Sequence, residues 1–161
     1  MSQVIKVGMA DLKASKEPIN LITSGLGSCV GICIFDANSK IGGLAHIMLP
    51  SSKGVRQSDN KAKFADTAVN VLIADMIKLG AKRGKMTAKI AGGSQMFNFK
   101  GTSDVMRIGE RNIEASKQAL MEANIPILSE DCGGNFGRTI ILDTKSGNLL
   151  IRTIQHGEKI I

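Results

Sequence analysis

Residues 29–50, CVGICIFDANSKIGGLAHIMLP, decide the fold of this chain. Residues 29–35 are apolar or small and predict a buried strand, and residues 36–40 are rich in turn formers. The apolar segment 41–49 returns as a partner strand, and Pro50 ends it. The sequence therefore predicts a buried antiparallel hairpin.

The register of this hairpin determines which side chains share a face. If the two strands pair across the four-residue turn, Cys29 lies opposite Met48 and His46 lies opposite Gly31. Cys29 and His46 are then diagonal neighbours on one face, with their backbones about 7–8 Å apart. A slip of one residue would put the two side chains on opposite faces.

Further strands are predicted before and after the hairpin in the sequence, and two helices are predicted after it. Apolar residues at three- and four-residue steps predict a helix over 59–79, which Gly80 ends, and a second helix over 110–124. The predicted outer strands cover residues 3–8, 19–23, 87–91, 125–129, 138–143 and 148–155. Two helices among about seven strands predict an α/β fold, with helices packed on a largely antiparallel or mixed sheet.

The composition is that of one globular domain spanning residues 1–161. No apolar run approaches the roughly 18 residues of a membrane span. The N-terminal sequence MSQVIKVGMADLK lacks the basic and apolar regions of a secretion signal. Three cysteines without such a signal make a disulfide framework improbable and favour a cytoplasmic location.

The net charge of +7 indicates an acidic partner. Nucleic acid is disfavoured, because aromatic residues make up 3% of the chain and it has neither Trp nor Tyr to stack on bases. The basic residues are also spread along the sequence instead of forming a stripe. An acidic protein surface explains the charge equally well.

A candidate for catalysis lies in residues 23–29, TSGLGSC, together with His46. A cysteine attacks as its thiolate, and a nearby imidazole removes and returns the proton. Thr23 is a candidate for the third group that fixes the imidazole tautomer. Gly25 and Gly27 allow the backbone to approach a substrate, so that N–H groups, including that of Cys29, could hold an oxyanion.

Each of these residues also has an ordinary structural interpretation. Cys29 could be a small core residue, and His46 a hydrogen-bonded structural histidine. Cys33 lies within an apolar run and is expected in the core, Cys132 is expected in a loop without a base, and His156 on the surface.

Two motif hypotheses fail on geometry. In a strand Cys29 and Cys33 lie about 13 Å apart, too far to share one zinc ion. Gly25-x-Gly27 resembles the start of a dinucleotide fingerprint, but a strand follows it instead of a helix. The sequence therefore predicts no metal and no cofactor.

The sequence resembles the chemoreceptor glutamine deamidases, CheD, of bacterial and archaeal chemotaxis. The most specific signal is GLGSC at 25–29 followed by HIMLP at 46–50. The other matching segments run in family order to about residue 145. They are Phe64-Ala65-Asp66, AKIAGGS at 88–94, MF at 96–97, IGERN at 108–112, DCGG at 131–134 and GR at 137–138.

The resemblance implies a catalytic triad formed by Cys29, His46 and Thr23. The implied reaction hydrolyses glutamine side chains of methyl-accepting chemoreceptors to glutamate and ammonia, and the same acyl-enzyme would permit methyl ester hydrolysis. The family fold is a three-layer α/β/α arrangement. Glycine pairs at 92–93 and 133–134 are expected to line the site.

The resemblance also implies a CheC-type phosphatase as a protein partner. One alternative function therefore stays open. The chain could act mainly as a regulatory binding partner of that phosphatase and of receptors, with its cysteine face serving as a docking surface.

Overall fold

The computed structural model describes residues 3–55, 60–96 and 107–161. Two helices lie in these ranges, α1 (Ala65–Lys78) and α2 (Ile108–Glu122). The strands are β1 (Val4–Lys6), β2 (Leu12–Lys16), β3 (Asn20–Leu26), β4 (Val30–Asp36), β5 (Ile41–Ile47), β6 (Met86–Gly92), β7 (Ile127–Cys132), β8 (Arg138–Leu142), β9 (Leu149–Arg152) and β10 (Glu158–Ile160).

The strands form two five-stranded mixed sheets. The central sheet has the order β2-β5-β4-β6-β7, and the outer sheet has the order β1-β3-β8-β9-β10. Strands β6 and β7 pair in parallel in the central sheet, as β1 and β3 do in the outer sheet, and the other pairs are antiparallel.

The hairpin of β4 and β5 lies inside the central sheet and is buried on both faces. Val30, Ile32 and Ile34 point into the core beneath the helices, whereas Cys33 and Leu44 point into the core between the sheets. Two buried faces explain why the strands are almost continuously apolar instead of alternating with polar residues.

The α/β class and the mixed sheet are confirmed. Both helices cover one face of the central sheet, and the outer sheet covers its other face. In the described residues the layers are therefore helix, sheet and sheet, so the outer sheet occupies the position of the second helical layer in an α/β/α arrangement.

The hairpin register is confirmed, since Gly31 pairs with His46 and Asp36 with Ile41. The predicted start of the first helix is wrong for the described residues. Residues 61 and 62 form a turn, and Phe64 is extended and pairs with Leu49 in an isolated bridge, so α1 begins only at Ala65. Residue 59, where that helix was predicted to begin, and Phe97 lie outside the described residues.

Strands β2 and β10 are absent from the sequence prediction. Both lie at sheet edges and carry lysines, so they lack the apolar signal of a buried strand. Strand β3 extends to Leu26, beyond the predicted end at Thr23, because pairing with β8 resumes after an irregularity. The predicted glycine turn at 24–28 is therefore shorter than expected.

Candidate active site

The open end of the β4–β5 hairpin presents His46 and Cys29 on the face that packs against the outer sheet. His46 pairs with Gly31, and Cys29 directly precedes the first residue of β4. A Cβ at Gly31 would collide with the side chain of Ile140 in the outer sheet. Glycine at this position therefore allows the two sheets to approach closely beside His46.

Thr23 reaches His46 from the outer sheet. Its Oγ1 lies 2.7 Å from His46 Nδ1 and 2.7 Å from the carbonyl oxygen of Val7. The hydroxyl has one proton, and the Val7 carbonyl can only accept, so that proton points to Val7. The Nδ1 atom then carries a hydrogen and donates to Oγ1, which leaves Nε2 with a free lone pair. This assignment gives the tautomer that a general base requires.

The residue His46 is 1% exposed, and hydrogen bonds hold its backbone on both sides. Its backbone N–H donates to the carbonyl of Asp11, and its carbonyl accepts from the N–H of Ala10. Burial lowers the pKa of His46, so the neutral ring is favoured. Among the described residues, Nε2 has no hydrogen-bond partner.

The three cysteines differ in burial, and burial raises the pKa of each. Burial raises the pKa of Cys29, although its own backbone N–H partly offsets the effect. Burial raises the pKa of Cys33 and of Cys132 to about 12 in each case. Cys33 lies in the core as predicted. The loop prediction for Cys132 is wrong, because it is the half-buried last residue of β7.

The glycine pair at 92–93 borders Cys29 closely. The N–H of Gly93 donates to the Cys29 carbonyl at 2.8 Å, and a Cβ at Gly92 would collide with that same oxygen. Gly92 also has a φ of +115°, which strongly favours glycine. The N–H of Ser94 donates to the carbonyl of Gly27, so this segment supports the turn before Cys29.

A buried arginine ties the second glycine pair to this segment. The guanidinium of Arg138 donates to Ser94 Oγ, to the Gly133 carbonyl and to Asp131, each at 2.9 Å. The N–H of Gln95 donates to the carbonyl of Gly134. The loop at 133–134 is therefore joined to the segment that supports Cys29.

The sequence reasoning missed Asn112, which contacts both segments of the site. Its Nδ2 donates to the carbonyls of Ser28 and Met48, at 2.9 and 3.0 Å. Asn112, Ser116 and Leu120 form the buried stripe of α2. The spacing of Asn112 and Ser116 from Leu120 in four-residue steps could have indicated that both polar residues share the buried face of the helix.

The remaining expectations concern ions, membranes and the surface. In the described part of the chain, no group of three His, Cys, Asp or Glu side chains is arranged to hold a metal ion. Neither α1 nor α2 combines the length and the apolar character that a membrane crossing requires. His156 is exposed, as predicted, and its ring lies 4.2 Å from that of Phe136.

Fold and site together define a two-sheet α/β protein with a buried histidine–threonine pair and a cysteine on the same face. The fold resembles the crystal structure of a Neisseria meningitidis protein of the family DUF152, with a TM-score of 0.54 and 8% identity. That alignment covers 83% of this chain and 65% of the other, and it shows the fold alone.

The family model described as CheD chemotactic sensory transduction matches residues 48–153. A Syntrophomonas wolfei protein named probable chemoreceptor glutamine deamidase CheD is 55% identical over 161 residues, the full length of both chains. A Halalkalibacterium halodurans protein named chemoreceptor glutamine deamidase CheD is 51% identical over 160 residues, 99% of each chain. The chain belongs to the CheD family.

Proposed function

We propose that residues 1–161 form a single protein-glutamine deamidase domain with Cys29 as nucleophile, His46 as general base and Thr23 as the group that orients the imidazole. The observation that carries the proposal is the hydrogen bond between Thr23 and His46, which leaves Nε2 unprotonated on the face that Cys29 shares. The names of the relatives support glutamine side chains of chemoreceptors as the substrate.

The acylation half-reaction begins with a neutral thiol and a neutral imidazole, which the shifts in pKa favour. The thiol proton of Cys29 moves to Nε2 of His46 while Sγ forms a bond to the carboxamide carbon of the substrate. The C–N bond then breaks, and the proton on Nε2 passes to the leaving nitrogen. The products are ammonia and a thioester on Cys29.

The deacylation half-reaction consumes one water molecule. Nε2 of His46 takes a proton from the water, and the water oxygen bonds to the thioester carbon. The C–S bond breaks, the proton returns to Sγ of Cys29, and the glutamate side chain is released. Cys29, His46 and one water molecule account for every proton transfer and every bond change in the two half-reactions.

Backbone N–H groups beside Cys29 are suited to stabilise the oxyanion of each tetrahedral intermediate. The candidate donors are the N–H groups of Ser28 and Cys29, and the N–H of Cys29 already lowers the pKa of its own thiol against the effect of burial. They lie in the tight segment between β3 and β4, directly before the nucleophile. Removing one such donor in other enzymes typically costs about 100–1,000-fold in kcat.

Membership of the family supports a proposal for the substrate, the partner and the location. We propose that methyl-accepting chemoreceptors are the protein substrate, that a CheC-type phosphatase is a partner, and that the protein acts in the cytoplasm. The net charge of +7 favours acidic protein surfaces over neutral ones.

The proposal is tested by ammonia release from a receptor cytoplasmic fragment. Cys29→Ala should abolish release, whereas Cys33→Ala, a change of the same chemistry four residues along the hairpin, should keep kcat within about twofold after correction for folded protein. Mass spectrometry should find the glutamate product only with active variants. Ammonia release by a folded Cys29→Ala variant would remove the cysteine from the mechanism.

The same variants separate the enzyme from the regulatory alternative. If the cysteine face served mainly for docking, wild type would bind the phosphatase without deamidating the receptor fragment. Binding of both wild type and Cys29→Ala to the phosphatase, with deamidation by wild type alone, is the expected result.

A further inference from the structure

The side chain of Asn112 joins the two chain segments that carry Cys29 and His46. One Nδ2 hydrogen bond goes to the carbonyl of Ser28, the residue before Cys29, and the other goes to the carbonyl of Met48. We propose that Asn112 is a positioning residue that fixes the separation between Cys29 and His46. The inference rests on the proposed function, because it assigns a role within that site.

The contacts lie where the hairpin itself stops holding its strands together. The last pairs of the β4–β5 ladder are Gly31 with His46 and Val30 with Ile47. Beyond them the two segments are bridged by Asn112, which gives one N–H to each. The side-chain amide therefore continues the hydrogen bonding between the two segments beyond the end of the β4–β5 ladder, directly beside Cys29.

The choice of asparagine fits this role better than a packing role. The side chain is fully buried, and its Oδ1 has no hydrogen-bond partner among the described residues. An unpaired buried oxygen is unfavourable, so the amide is not explained by the stability of α2 alone. Its two N–H donors are what the site uses, and a neutral amide supplies both without placing a charge in the core.

The helix that carries Asn112 is itself fixed against the site. A Cβ at Gly109 would collide with the carbonyl oxygen of Ser94 and lie 2.6 Å from that of Gly93. Helix α2 thus begins in direct contact with the backbone that donates to the Cys29 carbonyl. Asn112 is one turn further along, so the position of its amide is determined by this contact.

The kinetic consequence follows from the geometry of proton transfer. The Cys29 thiol and His46 Nε2 must come within hydrogen-bond reach for the proton to move. A displacement of about 1 Å in such a site can cost about 100-fold in rate. Loss of the two hydrogen bonds from Asn112 should therefore lower kcat while leaving the KM for the receptor nearly unchanged.

The test compares Asn112→Ala with Ser116→Ala in the full chain. Ser116 lies one turn along the same helix, is equally buried, and donates its hydroxyl proton to the Asn112 carbonyl at 2.7 Å. Within the described residues, its side chain makes no hydrogen bond to the segments of Ser28 or Met48. We expect Asn112→Ala to lower kcat about 10–100-fold with KM within about twofold. Ser116→Ala should keep both constants within about twofold of wild type.

A second measurement does not depend on the receptor. The rate of iodoacetamide labelling of Cys29 is measured with His46 and with His46→Gln. The ratio of the two rates is the factor by which His46 accelerates the reaction of the thiol. That factor should be large in wild type and in Ser116→Ala, and should fall to within about twofold of unity in Asn112→Ala. A purely structural role would leave it unchanged. If Asn112→Ala does not fold, Asn112→Ser, which keeps one donor, is measured against the same outcomes.

The outcomes separate this inference from the proposed function. An unchanged His46 factor in folded Asn112→Ala or Asn112→Ser, or a kcat within twofold of wild type, would overturn the positioning role. If wild type released no ammonia but the labelling factor still depended on Asn112, the deamidase proposal would fail and the positioning role would stand.

Discussion

The two ends of the β4–β5 hairpin each bury a polar side chain, and they treat it in opposite ways. Asp36 at the turn end and His46 at the open end are each 1% exposed. The carboxylate at the turn end is surrounded by donors, whereas the imidazole at the open end is held through one nitrogen only. The contrast distinguishes a polar group that serves the fold from one that is available for chemistry.

At the turn end, Asp36 receives three backbone hydrogen bonds. Its Oδ1 accepts from the N–H groups of Asn38 and Ser39, and its Oδ2 accepts from the N–H of Lys82, in the connection between α1 and β6. Burial alone would raise the pKa of Asp36, but the hydrogen bonds outweigh it and lower the pKa. The charged carboxylate therefore closes the turn and ties it to the connection between α1 and β6.

At the open end, the hydrogen bonding of the buried side chain is incomplete. His46 Nδ1 is bonded to Thr23, but Nε2 has no partner among the described residues. A buried polar atom without a partner is unfavourable for stability, and a role in function is one reason for retaining it. The lone pair that a substrate reaction requires is such a reason.

The largest expected effect is that a substitution at the open end lowers kcat, whereas a substitution at the turn end lowers the free energy of unfolding. His46→Gln should lower kcat on a receptor fragment about 100–10,000-fold, because it removes the general base, while changing stability little. Asp36→Ala should lower the free energy of unfolding by about 1–3 kcal/mol, because it leaves three N–H groups unpaired. Ammonia release and urea unfolding measure the two quantities.

The control is the activity of Asp36→Ala per folded molecule, which should stay within about twofold of wild type. A comparable loss of kcat in both folded variants would contradict the division of the hairpin into a folding end and a chemical end.

The hairpin was predictable from sequence because its signals are local. An apolar run, a short polar turn and a second apolar run fix both the strands and their register, and the observed pairing of Gly31 with His46 follows. The placement of Cys29 and His46 on one face was predictable for the same reason, since both lie at the open end of the hairpin. Edge strands such as β2 carry no comparable signal and were missed.

The rest of the site depends on contacts between distant parts of the chain. Val7 acts through its carbonyl, which any residue type would provide, so its side chain gives no clue. Asn112 approaches from a helix more than 60 residues beyond His46. The packing of the outer sheet on the central sheet is likewise a tertiary property, and neither apolar periodicity nor turn chemistry encodes it.

A smaller effect concerns the single anchor at the open end. Thr23→Val removes the hydroxyl that accepts from Nδ1, so it should lower kcat about 10–100-fold. Thr23→Ser keeps that hydroxyl and should recover most of the loss. Both variants are measured on one receptor fragment. A fully active valine variant would show that Thr23 serves only to pack the two sheets through its methyl group.

The smallest effect is a difference in the pH at which each end loses stability. The pKa of His46 is lowered by burial, so the unfolded chain takes up its proton first, near pH 6.5. Stability should therefore fall as the pH drops below about 6.5, by at most about 1.4 kcal/mol per pH unit from this group. The pKa of Asp36 is lowered from 3.8, so its contribution is lost only as the pH drops below about 4.

Urea unfolding between pH 7.5 and 3 separates the two windows, because each variant should weaken one of them. His46→Gln should flatten the upper part of the pH dependence, because it removes the buried imidazole, and Asp36→Ala should reduce the slope of the lower part, to which Asp131, whose pKa is also lowered, still contributes. His156→Gln, which removes the exposed histidine, should retain the upper slope. If His156→Gln rather than His46→Gln removed that slope, the buried imidazole would not be the group that loses stability near neutral pH, and the contrast between the two ends of the hairpin would have to rest on hydrogen bonding alone.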